Sequence, residues 1–114
     1  MKIEILNINN INITFYIGRN SQENFDIIDQ ADCDDLWFHL NDLPSCHVVA
    51  SIPSNVKDKK LINKIIKQGA VLCKKYSKYS STKNLNIVFT KIKNISKTNI
   101  IGTVNTSNTK NILI

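Results

Sequence analysis

Only one long stretch of this chain spaces its apolar residues as a helix does. Leu61, Ile62, Ile65, Ile66, Leu72, Cys73 and Tyr76 recur at intervals of three and four, which lines one face of an α-helix. The spacing predicts a long helix from about Val56 to Tyr79, entered through Pro53-Ser54-Asn55. Lys57, Lys60, Lys64, Lys67, Lys74 and Lys78 fall on another face at the same period, the pattern of a solvated stripe. Gly69 sits mid-helix at a cost of about 1 kcal/mol relative to Ala. Close approach to a sheet or a neighbouring helix would account for it.

Most of the remaining pattern alternates with the period of two that a half-buried strand requires. Lys2 to Ile8 and Ile11 to Ile17 form two such runs, joined at Asn9-Asn10. The second run leads into Gly18-Arg19-Asn20. Asn20 or Ser21 can cap a short helix reaching about Ala31, with Glu23 placed as in a capping box. Leu36 to Leu40 and Cys46 to Ile52 read as strands around the Pro44 turn. Paired as a hairpin, they set Trp37 opposite Val49 and His39 opposite His47. One face then carries Phe38, Leu40, Val48, Ala50 and Ile52, which is a core face. The other carries Trp37, His39, His47 and Ser51, a candidate binding surface. Asn86 to Thr90, Ile100 to Thr106 and Ile112 to Ile114 complete the strands, and Lys91 to Lys97 is basic with alternate positions exposed. The fold class that results is α+β: one domain over 1–114, with a mixed, largely antiparallel sheet, one short helix and one long helix.

With 114 residues, 42% of them apolar, the chain can build one core and not two. The formal charge of +6 favours polyanionic partners. Arg19 is the only arginine among many Lys, Asn and Ile, a mark of biased nucleotide composition, so part of the lysine excess carries no functional meaning. Three cysteines, Cys33, Cys46 and Cys73, lack the even count and spacing of a disulfide framework and fit a reducing compartment. Neither a secretory leader nor an apolar run of about 18 residues is apparent. A soluble, cytoplasmic protein with no membrane partner is expected.

Five pieces of this sequence, in order, resemble the NFACT-R domain family. They are Gly18-Arg19-Asn20 with Asn24; Asp35-Leu36-Trp37-Phe38-His39; Ser45-Cys46-His47-Val48; Asn86-Ile87-Val88-Phe89-Thr90; and Asn94-Ile95-Ser96-Lys97 followed by Gly102. Together they cover nearly the whole chain. The Trp-Phe-His element is similar to the small stand-alone branch that includes coiled-coil domain-containing protein 25. The resemblance implies a non-catalytic RNA-binding module that needs no cofactor. It implies tRNA or rRNA as ligand in ribosome-associated quality control, ribosome-associated proteins as further partners, and an affinity broad enough to admit DNA. The small relatives continue into a charged coiled coil, and this sequence does not.

Candidate contacts follow from both lines of reading. Arg19 and Asn20 stand where a strand meets a helix N-terminus, a place where backbone N–H groups and a guanidinium can hold phosphate. Alternatively, Gly18 makes the turn, Asn20 caps, and Arg19 pairs with Asp26 or Asp29. Trp37 with His39 and His47 can stack a base and contact phosphate, or Trp37 can be core with the histidines satisfying each other or nearby backbone. Lys97 is a point charge for the nucleic-acid backbone, and Asn24 joins the set through the resemblance. No Cys-x-x-Cys or His-x-x-x-His spacing supports a metal. Two histidines with Lys97 also carry the elements of a metal-independent ribonuclease, and a protein-docking module is the other alternative. On the preferred reading, the His strands and the Gly-Arg-Asn corner converge on a single exposed, positively charged concavity.

Overall fold

The computed structural model describes all residues 1–114. Eight strands and two helices follow in the order β1 (Lys2–Ile8), β2 (Ile11–Ile17), α1 (Ser21–Asp29), β3 (Leu36–Leu40), β4 (Val48–Ser51), α2 (Lys59–Lys75), β5 (Asn86–Lys91), β6 (Ile95–Lys97), β7 (Val104–Thr106) and β8 (Lys110–Leu113). Six strands form one sheet in the order β1-β2-β4-β3-β5-β8, and β6 pairs with β7 in a separate hairpin. Every pair is antiparallel, the limiting case of the largely antiparallel sheet expected.

The β1–β2 hairpin turns at Asn9 and Asn10, with φ of 52° and 66°. Both values lie in the left-handed region that a two-residue primed turn requires and that asparagine tolerates. The β3–β4 register sets Trp37 opposite Val49, as the pattern predicts, but the ladder stops at Phe38↔Val48. Beyond it the backbone bonds elsewhere. Leu40 N–H donates to Ser45 Oγ (3.1 Å), and His47 N–H donates to Asn24 Oδ1 (3.1 Å). Ile52 N–H donates to Asp35 Oδ1 (2.9 Å). Side-chain acceptors thus shorten β4 at both ends relative to the Cys46–Ile52 span expected.

Helix α2 lies across one face of the sheet. Leu61, Ile65, Leu72 and Cys73 pack there against Phe15, Phe38, Leu40, Val48 and Ile87. Its span is shorter than the Val56–Tyr79 expected. Asp58 caps it by accepting from Lys60 N–H (3.1 Å), and Ser77 Oγ, donating to the Lys74 carbonyl (2.7 Å), closes the far end. At Gly69 an added Cβ would stand 2.3 Å from Cζ of Phe38. The mid-helix glycine therefore serves close helix-to-sheet packing.

The opposite face is a second core, where a binding surface was expected. Ile27 and Ile28 of α1, Trp37, Val49 and Ile92 are buried together, with Tyr16, Val88, Ile95 and Val104 against them. The Lys91–Lys97 segment makes this possible: a 3-10 turn at Ile92–Asn94 buries Ile92 and launches β6. The run Ile100–Thr106 is strand only from Val104. Thr98 and Thr103 close the turn before it with paired side-chain and backbone bonds, and Gly102 adopts φ 83°, leaving Ile100 and Ile101 exposed. No helix is long and apolar enough to cross a membrane.

Candidate nucleic-acid interface

The corner between β2 and α1 is built around Glu23. Asn20 caps the helix, its Oδ1 accepting from Glu23 N–H (2.9 Å). The Glu23 carboxylate accepts from the Met1 amine (2.7 Å), from Arg19 N–H (3.0 Å), and from Arg19 Nε and Nη2 (both 3.2 Å). Arg19 and the terminal amine hold the Glu23 pKa down at about 2. The partner of Arg19 is therefore Glu23, and neither Asp26 nor Asp29. The guanidinium stays 64% exposed and keeps its outer edge free.

Gly18 and Asn24 tie this corner to the sheet. Gly18 N–H donates to the His47 carbonyl (3.0 Å), and the buried Asn24 returns a bond to His47 N–H. A Cβ at Gly18 would fall 2.2 Å from Asn24 Oδ1, so a side chain there displaces the asparagine. Asn24 is a structural clamp with little surface to offer a ligand.

A groove of about 910 Å³ opens beside the corner, lined by the Met1 amine, Lys2, Arg19, Asn20, Lys78 and the segments between them. No acidic side chain lines it. Tyr76 forms part of its wall, with the ammonium groups of Lys2 and Lys75 5.5 and 5.2 Å from its ring centroid. Its hydroxyl donates to Glu4 (3.0 Å). Sequence reasoning missed Lys2, and it left Lys78 in a solvated stripe. Nothing local distinguishes either residue, because it is the end of α2 reaching the start of β1 that assembles them.

The histidines line a different groove. Trp37 is 3% exposed and His47 also 3%, and Trp37 has no free face on which a base could stack. Trp37 Nε1–H donates to His47 Nδ1 (3.1 Å), which fixes His47 as the neutral Nε2–H tautomer. Burial, helped by His39, drops the His47 pKa to about 3. His39 Nδ1–H donates to the Leu40 carbonyl (2.6 Å), and burial lowers its pKa as well. The His39 ring stacks on Trp37 at 5.7 Å and meets His47 edge-on at 5.0 Å. These are uncharged rings at neutral pH, so they bring no cation to a phosphate.

The single positively charged concavity expected is thus two grooves that share Pro44: a basic one at the corner and one over the neutral histidines that no Lys or Arg lines. They are separate because His47 turns its backbone toward Gly18 and Asn24 while its ring reaches Trp37. Lys97 lines neither. Its ammonium is 2.6 Å from Asp29 Oδ1 and 5.2 Å from the Phe25 ring centroid, which pins β6 to α1. Lys91 and Lys93 approach Asp34 at 3.5 and 3.8 Å.

Cys33, Cys46 and Cys73 are free thiols. Cys73 Sγ–H donates to the Cys46 carbonyl (3.8 Å), and the neighbouring Cys46 sulfur together with burial raises the Cys73 pKa. No three His, Cys, Asp or Glu side chains gather into a metal-ligand set.

A family model described as the NFACT protein RNA binding domain matches residues 5–107. The chain belongs to the NFACT RNA-binding domain family. Coiled-coil domain-containing protein 25 of Danio rerio is 33% identical over 90 residues, which are 75% of this chain and 42% of that protein. Its Mus musculus counterpart is 30% identical over 92 residues, 80% of this chain and 44% of the relative. The Rqc2 homolog RqcH of Bacillus subtilis is 30% identical over 88 residues, 76% of this chain and 14% of that protein. The chain thus spans less than half the length of the curated relatives it matches. The solved C-terminal part of the fibronectin/fibrinogen-binding protein from Streptococcus suis superposes on the whole chain with a TM-score of 0.80 at 21% identity, over 45% of that structure. That likeness shows the fold.

Proposed function

We propose that this NFACT-R domain binds RNA without catalysis, holding the phosphate backbone in the basic groove at the β2–α1 corner. The observation that carries the reading is the set of cations Lys2, Arg19 and Lys78 around a concavity with no acidic lining. Fixed positive charge in a concave surface concentrates a polyanion and releases its counterions on binding. Among these cations Arg19 has the fork that matches a phosphate in two places. The ligand class is tRNA or rRNA and the setting the cytoplasm, in ribosome-associated quality control, in keeping with the family and with the relationship to RqcH. Two neutral histidines support the absence of catalysis, because acid–base cleavage of a phosphodiester needs one of the pair protonated, and burial lowers both pKa values.

Filter binding of a tRNA and of an rRNA hairpin at several salt concentrations tests this. Three cations on three phosphates give a slope of log K against log salt of about −2 to −3. Arg19→Ala, with folding checked by circular dichroism, flattens that slope by about 1. RNA binding that ignores salt, or an Arg19→Ala protein that binds like the parent, would overturn the assignment. Absence of retention would favour a protein-docking module instead.

A further inference from the structure

The groove over the histidines has a volume of about 520 Å³, within the range of small-ligand pockets. It runs between the 41–47 loop and the β6–β7 hairpin. Leu43, Pro44, Val88 and Val104 supply apolar walls, and Asp42 is the one charged side chain lining it. An anion is therefore disfavoured here, in contrast to the basic groove across Pro44.

At its floor two ring nitrogens stand without protein partners. Trp37 occupies His47 Nδ1, so the proton of His47 is on Nε2. The Leu40 carbonyl occupies His39 Nδ1–H, so His39 Nε2 carries a lone pair. No buried side-chain nitrogen or oxygen in the structure lacks a partner, and neither Nε2 has one. Each atom therefore keeps some solvent exposure, and both residues line this groove. The ring centroids are 5.0 Å apart. The rings meet edge to face at 87°, and each is held by the hydrogen bond at its Nδ1, so the two residues offer the groove one donor and one acceptor. Every nucleobase presents a matching acceptor and donor on its Watson–Crick edge, and proteins that bind single-stranded RNA read splayed bases on that edge.

We propose that this groove is a pocket for one unpaired nucleobase, whose edge accepts from His47 Nε2–H and donates to His39 Nε2. The proposal rests on the RNA-binding reading above and adds to it that the bound RNA offers an unstacked base beside the backbone held at the corner. Because all four bases carry such an edge, the pocket selects unpaired over paired nucleotides and does not select a sequence.

The test compares a uridine decamer with an abasic ribose-phosphate decamer of equal length, by fluorescence anisotropy at one salt concentration. The uridine strand is expected to bind about 25-fold tighter, because the two hydrogen bonds contribute roughly five-fold each. His47→Asn keeps an acceptor for Trp37 and removes the groove-facing donor, and His39→Asn keeps a donor for Leu40 and removes the acceptor. Each variant should weaken uridine binding about five-fold and leave abasic binding unchanged. In the parent protein, the imidazole ¹⁵N resonances of both Nε2 atoms should move with the uridine strand and stay still with the abasic one, a readout independent of any variant's folding. Equal affinity for the two strands, or static Nε2 resonances, refutes the base pocket while leaving backbone binding intact. If neither strand binds, the RNA reading fails and the pocket fails with it.

Discussion

Lowering the pH from 7 to 5 should destabilise this protein through His47. Its ring is neutral in the fold, with a pKa of about 3 against an ordinary 6.5, because burial and then the neighbouring His39 disfavour the charged form. The unfolded chain protonates normally. The stabilisation is complete above about pH 6.5 and is lost as the pH falls toward 3, the range in which only the unfolded state takes up the proton. At pH 5 the unfolded ring lies about 1.5 units below its pKa, and at ~1.4 kcal/mol per unit the loss is about 2 kcal/mol. His39 shifts in the same direction and adds to it. Urea unfolding at pH 7, 6 and 5, followed by the fluorescence of the single Trp37, measures the effect. His47→Asn keeps the acceptor for Trp37 and cannot titrate, so its stability should fall less over that interval. A parent whose unfolding free energy is the same at pH 7 and 5 would refute the tautomer and burial argument, and the assignment of donor and acceptor in the groove with it.

Other perturbations separate the structural residues from the binding ones. Gly69→Ala should destabilise by about 1–2 kcal/mol in urea unfolding, since overpacking against the fixed Phe38 ring exceeds the gain in helix propensity; Phe38→Leu should relieve part of it. Asn24→Ala should cost about 1–3 kcal/mol by orphaning His47 N–H, visible as faster hydrogen exchange at that amide. Acidification below about pH 4.5 should loosen the Met1–Glu23–Arg19 corner, because the lowered Glu23 pKa makes its contribution present above the ordinary carboxylate range and lost as the pH falls toward 2. The chemical shifts of the Arg19 and Glu23 amides would report it.

The sequence was sufficient for β1 to β5 and, apart from its ends, for the main helix because their patterns are local, whereas β6 lies in a run that reads as basic and exposed. Alternation in Ile11 to Ile17, the Asn9-Asn10 turn, the stripe from Leu61 to Tyr76 and the Asn20 cap each express a preference satisfied within a few residues. The Trp37↔Val49 register followed from one buried face. The exposure of the other face did not follow, because burial on that side depends on Ile27, Ile28 and Ile92 arriving from distant elements. Trp37 alternates correctly in either case. For the same reason Lys97 resembled a free charge in the sequence and is held by Asp29 in the fold.

What the amino-acid order determined by itself was an α+β chain of antiparallel strands, a family membership, and a cluster of distinctive residues from Gly18 to Ser51. Only the tertiary structure decided how that cluster divides. His47 spends its backbone on Gly18 and Asn24 and its Nδ1 on Trp37, so the histidines become neutral and face one groove. Lys2 and Lys78, unmarked in the sequence, meet Arg19 at another. Charge state and convergence depend on burial and on contacts between residues far apart in the chain, and local sequence patterns do not encode either.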